Sequence, residues 1–359
     1  MADLTEATRL LDQLLGMGVP GFDCIVYHRG REIYRHFGGH RDEAGAVPMN
    51  GREIYNFYSC TKVVTCAAAL RLVEQGRMHL DDPLFAYLPE FTAMQVREEG
   101  KLRPAARSIT LRDLFTMRSG MNYDTLSPAV KQCQADTDGA CPTREFMHYL
   151  AREPLKFDPG THWHYSLSHD VLAAVVEVVS GMRFSEYLRR ELFAPAGAER
   201  LGFALTPEQE ADVACQSIRE KGQVRFVERD VLHFRFGREY ESGGAGLRGD
   251  AESYARFMEA LRSGMIISPA MLDLMCTDQL TPAQRAESFY PDYGYGLGVR
   301  CPIPGSPTDD FGWNGMAGAQ ARIDRGRELC FFCALHQPGA PIEVTWDQVY
   351  PEVIRAISR

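Results

Sequence analysis

Short apolar runs separated by turn-forming residues occur near both ends of the chain, and they predict β-strands. Five strands are predicted, at residues 22–27, 32–37, 294–301, 317–323 and 329–335. His28-Arg29-Gly30-Arg31 joins the first two runs and is typical of a β-hairpin turn, and residues 324–327 join the last two in the same way. Because the runs lie at both ends of the chain, the simplest arrangement is one antiparallel sheet that both ends build together.

The middle of the chain carries apolar residues at helical spacing together with helix-start signals. Residues 110–113 (Thr-Leu-Arg-Asp) resemble a capping box, and Thr206 and Ser268 each precede a proline that suits a first helical turn. Further helices are predicted at residues 1–15, 169–179, 184–192 and 346–357.

These elements predict an α/β protein of the α+β type, in which helices flank an antiparallel sheet and a helical region is inserted. We expect a sheet domain from residues 1–90 and 240–359, and a mainly helical domain from residues 91–239.

Composition and charge narrow the function classes. The chain has 359 residues, of which 45% are hydrophobic and 24% charged, and a net charge of −9. This acidic balance argues against nucleic-acid binding, which needs clustered cations. The N-terminus is an acidic amphipathic segment rather than a signal peptide, and no apolar run approaches the roughly 18 residues of a membrane span. Ten irregularly spaced cysteines suit reduced, buried thiols, so a cytoplasmic location is expected.

Several motifs that suggest a cofactor or a metal are better explained in other ways. Residues 244–249 match the dinucleotide fingerprint GxGxxG, but no buried strand precedes them, which favours a glycine-rich turn. Cys330 and Cys333 would point to opposite faces of a strand. His162 and His164 have no further ligand cluster at a useful spacing. We therefore expect no metal and no organic cofactor.

One local pattern indicates a nucleophilic serine. Ser59 lies at the start of a predicted helix, and Lys62 follows one turn later on the same face. A lysine against an apolar helix face loses hydration, which lowers its pKa and lets it accept a proton, whereas an arginine could not. The chain has 34 Arg and only 5 Lys, so a lysine at this position is informative. The alternative is a capping serine beside a surface lysine.

Two further segments follow that pair, Tyr165-Ser166-Leu167 and Trp313-Asn314-Gly315. In this order, and together with residues 109–114, 241–247 and 293–296, the three segments resemble serine hydrolases of the class C β-lactamase and penicillin-binding protein superfamily. The resemblance covers nearly the whole chain. It implies that Ser59 is acylated, that Lys62 assists proton transfer and that Tyr165 is the general base. It also implies an oxyanion hole formed by the backbone N–H groups of Ser59 and Met316.

The third motif of that superfamily lines the site, which gives Trp313, Asn314 and Gly315 as substrate-binding positions. Two departures narrow the expected substrate. Leu167 stands where the β-lactamases and peptidases usually have asparagine, and Trp313 stands where they have lysine or histidine. With these two residues, the second and third motifs resemble those of the carboxylesterase branch of the superfamily. Trp313 and Tyr123 would then form an aromatic wall for a neutral ester group, although core packing is the alternative for both.

The chain is therefore predicted to be a carboxylesterase acting on small-molecule esters or amides. The alternatives are a β-lactamase or a D-amino-acid-specific peptidase, and, outside enzymes, a slow penicillin-binding or sensor protein. With Trp313 in place of a cation, only Lys62 is expected to lower the pKa of Tyr165. This predicts that kcat/KM rises toward alkaline pH with a half-point above about 8. The sequence does not determine the oligomeric state.

Overall fold

The structure is a computed structural model, and it describes residues 3–228 and 234–358. Its main sheet has seven strands in the order β2-β1-β13-β12-β11-β10-β9. The strands of the chain are β1 (Gly21–His28), β2 (Arg31–Gly39), β3 (Tyr55–Asn56), β4 (Gln95–Glu98), β5 (Lys101–Pro104), β6 (Gln216–Glu220), β7 (Gln223–Val227), β8 (Arg248–Gly249), β9 (Gly294–Tyr295), β10 (Arg300–Cys301), β11 (Phe311–Asn314), β12 (Gln320–Asp324) and β13 (Leu329–Leu335).

Both ends of the chain meet inside this sheet, as the hydrophobic pattern predicts. β1 pairs antiparallel with β2 on one side and with β13 on the other, with Cys24 opposite Cys333. The pairs β12–β13 and β11–β12 are also antiparallel. The prediction of an α+β fold with an antiparallel sheet from both chain ends is therefore confirmed.

The strand predicted at residues 294–301 differs from the structure. Two short strands, β9 and β10, pair with each other there, and the chain turns at residues 296–299. Gly298 has a φ of +87°, and a Cβ at this position would lie 2.1 Å from Cys66 Sγ. Only glycine fits this turn, because the turn packs directly on the helix that follows Ser59.

Helices cover the sheet and fill the middle of the chain. They are α1 (Thr5–Gly16), α2 (Thr61–Glu74), α3 (Leu111–Phe115), α4 (Pro128–Asp136), α5 (Thr143–Leu150), α6 (Ser168–Ser180), α7 (Phe184–Leu188), α8 (Ala194–Ala196), α9 (Pro207–Ala211), α10 (Ala251–Arg262), α11 (Pro269–Met275), α12 (Pro282–Ala286) and α13 (Tyr350–Ile357). Short 3₁₀ turns lie at Tyr58–Cys60, Leu84–Ala86 and Pro89–Phe91, and π-helical turns at Arg189–Phe193 and Val344–Val349.

The predicted start signals do begin helices. Thr110 and Asp113 form a reciprocal capping box at α3, and Thr206 and Ser268 cap α9 and α11. Gly181 ends α6 in the left-handed conformation. These local hydrogen bonds satisfy backbone donors that a helix start leaves unpaired, which is why they could be read from the sequence.

Two apolar clusters hold the layers together. One joins α1, β1, β13 and α13 on one face of the sheet. The larger one lies on the other face and extends through α2, α6 and α10 into the helical region. That region also contains the hairpins β4–β5 and β6–β7. The division of the chain into two domains stays a prediction. α2 and α6 pack against each other beside β11, and the predicted site residues lie where they meet.

Candidate active site

Ser59 lies in the 3₁₀ turn Tyr58–Cys60, directly before α2. Tyr58 has a φ of +44°, which is an unfavourable backbone conformation for a residue with a Cβ. Its hydroxyl donates to Gln216 Oε1 at 2.7 Å, and this bond helps to hold the turn. Gly315 approaches from β11 so closely that a Cβ would lie 2.4 Å from the carbonyl oxygen of Phe57. The candidate nucleophile Ser59 is therefore held between the start of α2 and the end of β11.

Lys62 lies one turn into α2, and its side chain is completely buried. Its Nζ donates to the carbonyl oxygen of Gly244 at 2.7 Å and to Ser59 Oγ at 3.3 Å, and lies 3.5 Å from Tyr123 OH. Burial lowers the pKa of Lys62 to about 7, although the charge of Asp170 acts in the opposite direction. The amine is thus buried, contacts the serine and can lose its proton near neutral pH.

Tyr165 completes the group around Ser59. Its hydroxyl donates to Ser59 Oγ at 2.7 Å, and Trp313 Nε1 donates to the Tyr165 oxygen at 3.2 Å. The rings of Tyr165 and Trp313 stack, with centroids 5.8 Å apart. Burial raises the pKa of Tyr165. The expectation that its pKa would be lowered is therefore wrong, because the phenol is surrounded mainly by aromatic rings and its hydrogen bonds with Ser59 and Trp313 do not offset its desolvation.

The remaining predicted site residues divide into those that reach this group and those that do not. Tyr123 packs its ring 5.2 Å from that of Tyr165. Asn314 reaches outward and donates from Nδ2 to Tyr290 OH at 2.9 Å. Trp313 is only 4% exposed, so it supports Tyr165 from behind rather than forming an open wall. Leu167 is 2% exposed and belongs to the core, which leaves little of it for a substrate to contact.

Met316 lies after β11, and its side chain is 49% exposed. Within residues 3–228 and 234–358, no hydrogen-bond acceptor lies opposite its backbone N–H group. An oxyanion hole requires backbone N–H groups that are free to donate to the substrate oxygen. The position of Met316 is therefore compatible with the role that the sequence suggests.

Sequence reasoning missed Asp170, on α6. Its carboxyl is buried, and Oδ1 accepts hydrogen bonds from Tyr240 OH at 2.9 Å and Ser242 Oγ at 2.6 Å. A Cβ on Gly244 would lie 2.4 Å from Asp170 Oδ2, so the glycine-rich match at residues 244–249 is a turn packed against this carboxylate. An acidic residue in the first turn of α6, directly before the apolar run at residues 171–176, was the signal available in the sequence.

An open cavity of about 640 Å³ lies beside Tyr165. Four of its nine lining residues are aromatic, Tyr123, Trp163, Tyr165 and Phe289, and the last of these is 61% exposed; the other five are polar or charged. Polar side chains at the cavity include those of Lys156 and His164, which are joined by a hydrogen bond of 2.9 Å. The aromatic part of this cavity, beside Tyr165, suits a substrate with an apolar body.

Other chemistry was also considered for the described residues. Among them, no group of three or more His, Cys, Asp and Glu side chains is arranged to hold a metal ion. His162 pairs with Glu287 at 2.8 Å, and His164 contacts Lys156, so the two histidines do not share a site. Cys330 and Cys333 are buried on β13. No helix in the described part of the chain is long and apolar enough to cross a bilayer.

Comparison with known proteins gives the family. The sequence model of the family described as Beta-lactamase matches residues 7–349. The chain belongs to the beta-lactamase family. Among its relatives in this family, the acyltransferase mokF of Monascus pilosus is 31% identical over 307 residues, which cover 80% of this chain and 74% of the relative. Esterase EstB of Burkholderia gladioli is 30% identical over 337 residues, which cover 86% of this chain and 84% of EstB.

Solved structures show the same fold. Simvastatin synthase (LovD) from Aspergillus terreus superposes with a TM-score of 0.81 at 25% identity, covering 99% of both chains. EstCE1, a hydrolase with promiscuous acyltransferase activity, superposes with a TM-score of 0.81 at 24% identity, covering 97% of both chains. The esterase and acyltransferase relatives support an enzyme of the beta-lactamase family that hydrolyses esters or transfers acyl groups.

Proposed function

We propose that this enzyme forms an acyl-enzyme on Ser59 and acts most readily on neutral carboxylic esters. The observation that carries this proposal is the pair of contacts at one oxygen atom. Ser59 Oγ lies 2.7 Å from the Tyr165 hydroxyl and 3.3 Å from Lys62 Nζ, and the pKa of that amine is about 7. A serine between a donor and a deprotonatable amine is an activated nucleophile.

The two partners of Ser59 take different roles. Tyr165 donates to Oγ and its pKa is raised, so the phenol is protonated near neutral pH and serves to orient the oxygen. Lys62 has a lowered pKa and accepts the proton from Ser59 as Oγ attacks the ester carbonyl. This assigns the base role to Lys62 and a relay role to Tyr165, in contrast to the roles that the resemblance implies.

The reaction balances within these groups. The bond from Oγ to the carbonyl carbon forms, the bond from that carbon to the alkoxy oxygen breaks, and the proton taken by Lys62 passes through Tyr165 to the departing alcohol. The backbone N–H groups of Ser59 and Met316 are the donors proposed for the oxyanion. Water then attacks the acyl carbon while its proton passes through Tyr165 to Lys62, the bond from that carbon to Oγ breaks, and Lys62 returns the proton to Oγ, which releases the carboxylic acid and regenerates Ser59.

The preference for neutral esters rests on what surrounds Tyr165. Trp313 gives a neutral N–H donor where a cation would attract a substrate carboxylate, and four aromatic side chains contribute to the adjoining cavity. Penicillins and peptides with a free carboxyl end lose that attraction. We therefore place β-lactam or D-amino-acid peptide turnover second to ester turnover.

Acyl transfer is the second candidate, and the 31% identical acyltransferase favours it. The same acyl-enzyme reacts with an alcohol in place of water when an acceptor occupies the cavity. Adding a primary alcohol to the ester assay separates the two outcomes. An acceptor that competes with water yields a new ester in proportion to its concentration, whereas a strict hydrolase yields only the acid.

The decisive experiment combines intact-mass spectrometry with two substrates. A fluorophosphonate should add one adduct to the wild-type chain and none to Ser59→Ala, while Ser263→Ala, at an exposed serine far from the site in sequence, serves as a matched control. A p-nitrophenyl butyrate ester should be hydrolysed faster than a chromogenic cephalosporin. Faster cephalosporin turnover would overturn the ester assignment, and a penicillin adduct without turnover would indicate a slow binding protein.

A further inference from the structure

The carboxylate of Asp170 and the amine of Lys62 both lie next to Gly244. Lys62 Nζ donates to the carbonyl oxygen of Gly244 at 2.7 Å. A Cβ built on the same Gly244 would lie 2.4 Å from Asp170 Oδ2 and 3.5 Å from Lys62 Nζ. The amine and the carboxylate therefore both lie against Gly244, where their charges interact although no hydrogen bond or ion pair joins them directly.

Asp170 is held in this position from several sides. Tyr240 OH and Ser242 Oγ both donate to Oδ1. Oδ2 faces Gly244 and has no hydrogen-bond partner among the described residues. Burial raises the pKa of Asp170, while the two donors and Lys62 favour its charged form. A buried carboxylate is unfavourable when one oxygen accepts two hydrogen bonds and the other accepts none, unless a nearby cation stabilises its negative charge.

The other titratable groups that face Lys62 carry no charge near neutral pH. Cys60, directly before α2, Cys66 on α2 and the phenols of Tyr123 and Tyr165 have raised pKa values, so they stay protonated. Burial lowers the pKa of His169, beside Asp170 on α6, to about 3, which keeps the imidazole neutral. Asp170 is thus the charged group, among these neighbours, that Lys62 meets when it becomes an ammonium ion.

We propose that Asp170 is a positioning residue for the proposed acyl-enzyme chemistry. Through the turn at residues 242–246 it fixes Lys62, and it supplies the counter-charge when Lys62 takes the proton of Ser59. The inference rests on the proposed role of Lys62 and adds a residue that touches neither the substrate nor Ser59. Without that counter-charge the buried amine is a weaker base, because desolvation then acts alone.

The test is the pH profile of kcat/KM for p-nitrophenyl butyrate in Asp170→Asn, which keeps an acceptor for Tyr240 and Ser242 but removes the charge. Loss of the counter-charge should lower the pKa of Lys62, so the acidic half-point should move down by about one pH unit. The plateau should also fall, because the weaker base transfers the proton less well. Asp138→Asn, at a fully exposed carboxylate, is the matched control and should change neither quantity. A lower plateau with an unmoved half-point would mean a merely structural role and would overturn the proposal.

A second measurement needs no variant of Asp170 and no turnover. Two interacting groups report each other's titration. In ¹³C-aspartate NMR of the otherwise unaltered chain, one carboxyl signal should move with the midpoint of Lys62, and Lys62→Met should abolish that step. No aspartate signal following Lys62 would overturn the inference even if Asp170→Asn does not fold. Because this readout is independent of catalysis, it also separates failure of the inference from failure of the proposed function.

Discussion

Two clusters of buried charge in this enzyme are built in opposite ways. Beside Ser59, Lys62 and Asp170 both lie against Gly244 and make no direct ion pair. Behind β10–β12, Asp310 lies directly between two arginines, with Arg322 Nη2 2.7 Å from Oδ1 and Arg300 on Oδ2. Aromatic rings also cover the arginines, and Arg322 lies 3.6 Å from the ring centroid of Tyr350.

The difference between them is one of charge state. The two arginines hold the pKa of Asp310 well below its usual range, so this cluster stays ionised at pH values where an ordinary carboxyl would take up a proton. Lys62 has no such partner, and its pKa moves to about 7. Direct pairing with the two arginines keeps Asp310 charged, which suits a structural role within the sheet. Without a direct ion pair, the charge of Lys62 can change near neutral pH, which suits proton transfer.

Replacing the cation in the titratable cluster should have the largest effect. Lys62→Arg keeps a positive charge but cannot lose its proton near neutral pH. We expect kcat/KM to fall by about 10³-fold, in the range that a general base contributes. Lys131→Arg, exposed on α4, is the control and should keep full activity. An active Lys62→Arg enzyme would mean that Lys62 acts only through its charge.

Breaking the fixed cluster should instead reduce stability. Asp310→Asn leaves two buried arginines without a counter-charge, and removing one partner of a buried pair costs about 3–5 kcal/mol. Chemical denaturation should show this loss, while kcat/KM of the folded fraction at low temperature should stay close to that of the wild type. A fall in activity equal to that of Lys62→Arg would erase the distinction between the clusters.

The pH dependence sharpens the same comparison. The base must be neutral, so kcat/KM should be constant above the pKa of Lys62 and fall about tenfold per pH unit below about 7. Asp310 behaves differently: because its pKa is lowered on folding, its stabilising contribution persists above about pH 4 and is lost as the pH falls through its folded-state pKa. A half-point above 8 would restore Tyr165 as the titrating base.

The smallest effect is expected at Trp313. Trp313→Phe keeps a stacked ring beside Tyr165 but removes the N–H donor that lies 3.2 Å from its oxygen. One such hydrogen bond is worth about 1 kcal/mol, so kcat/KM should fall by about fivefold. Trp346→Phe, at a tryptophan that stacks on Tyr290 and not on Tyr165, provides the matched comparison. Unchanged activity in Trp313→Phe would leave Trp313 with a packing role alone.

Local signals were read from the sequence with good accuracy. The capping residues Thr110, Thr206 and Ser268, the β1–β2 hairpin and the boundaries of β13 are all where the pattern places them. Ser59, Lys62 and Tyr165 were also named, and the structure brings them together. Each of these features follows either from the spacing of residues within a short segment or from a short sequence motif.

Other features depend on contacts between distant segments. The burial of Leu167, the hydrogen bond from Trp313 to Tyr165 and the turn at Gly298 each involve partners that no local pattern identifies. Asp170 was missed for the same reason, since its importance arises only when residues 240–246 pack across α6 and α2. The predicted direction for the pKa of Tyr165 was wrong because the sequence shows its charged neighbours but not its burial.

The sequence by itself determined the elements, the family resemblance and the identity of the reactive side chains, since these follow from residue type and short-range spacing. Only the tertiary structure decided which of those side chains titrates. A pKa depends on how much water and how many charges surround a group, and that environment exists only after the helices and strands have packed. For this reason the lysine could be found in the chain, but the proposals that it is the base and that Asp170 supports it required the fold.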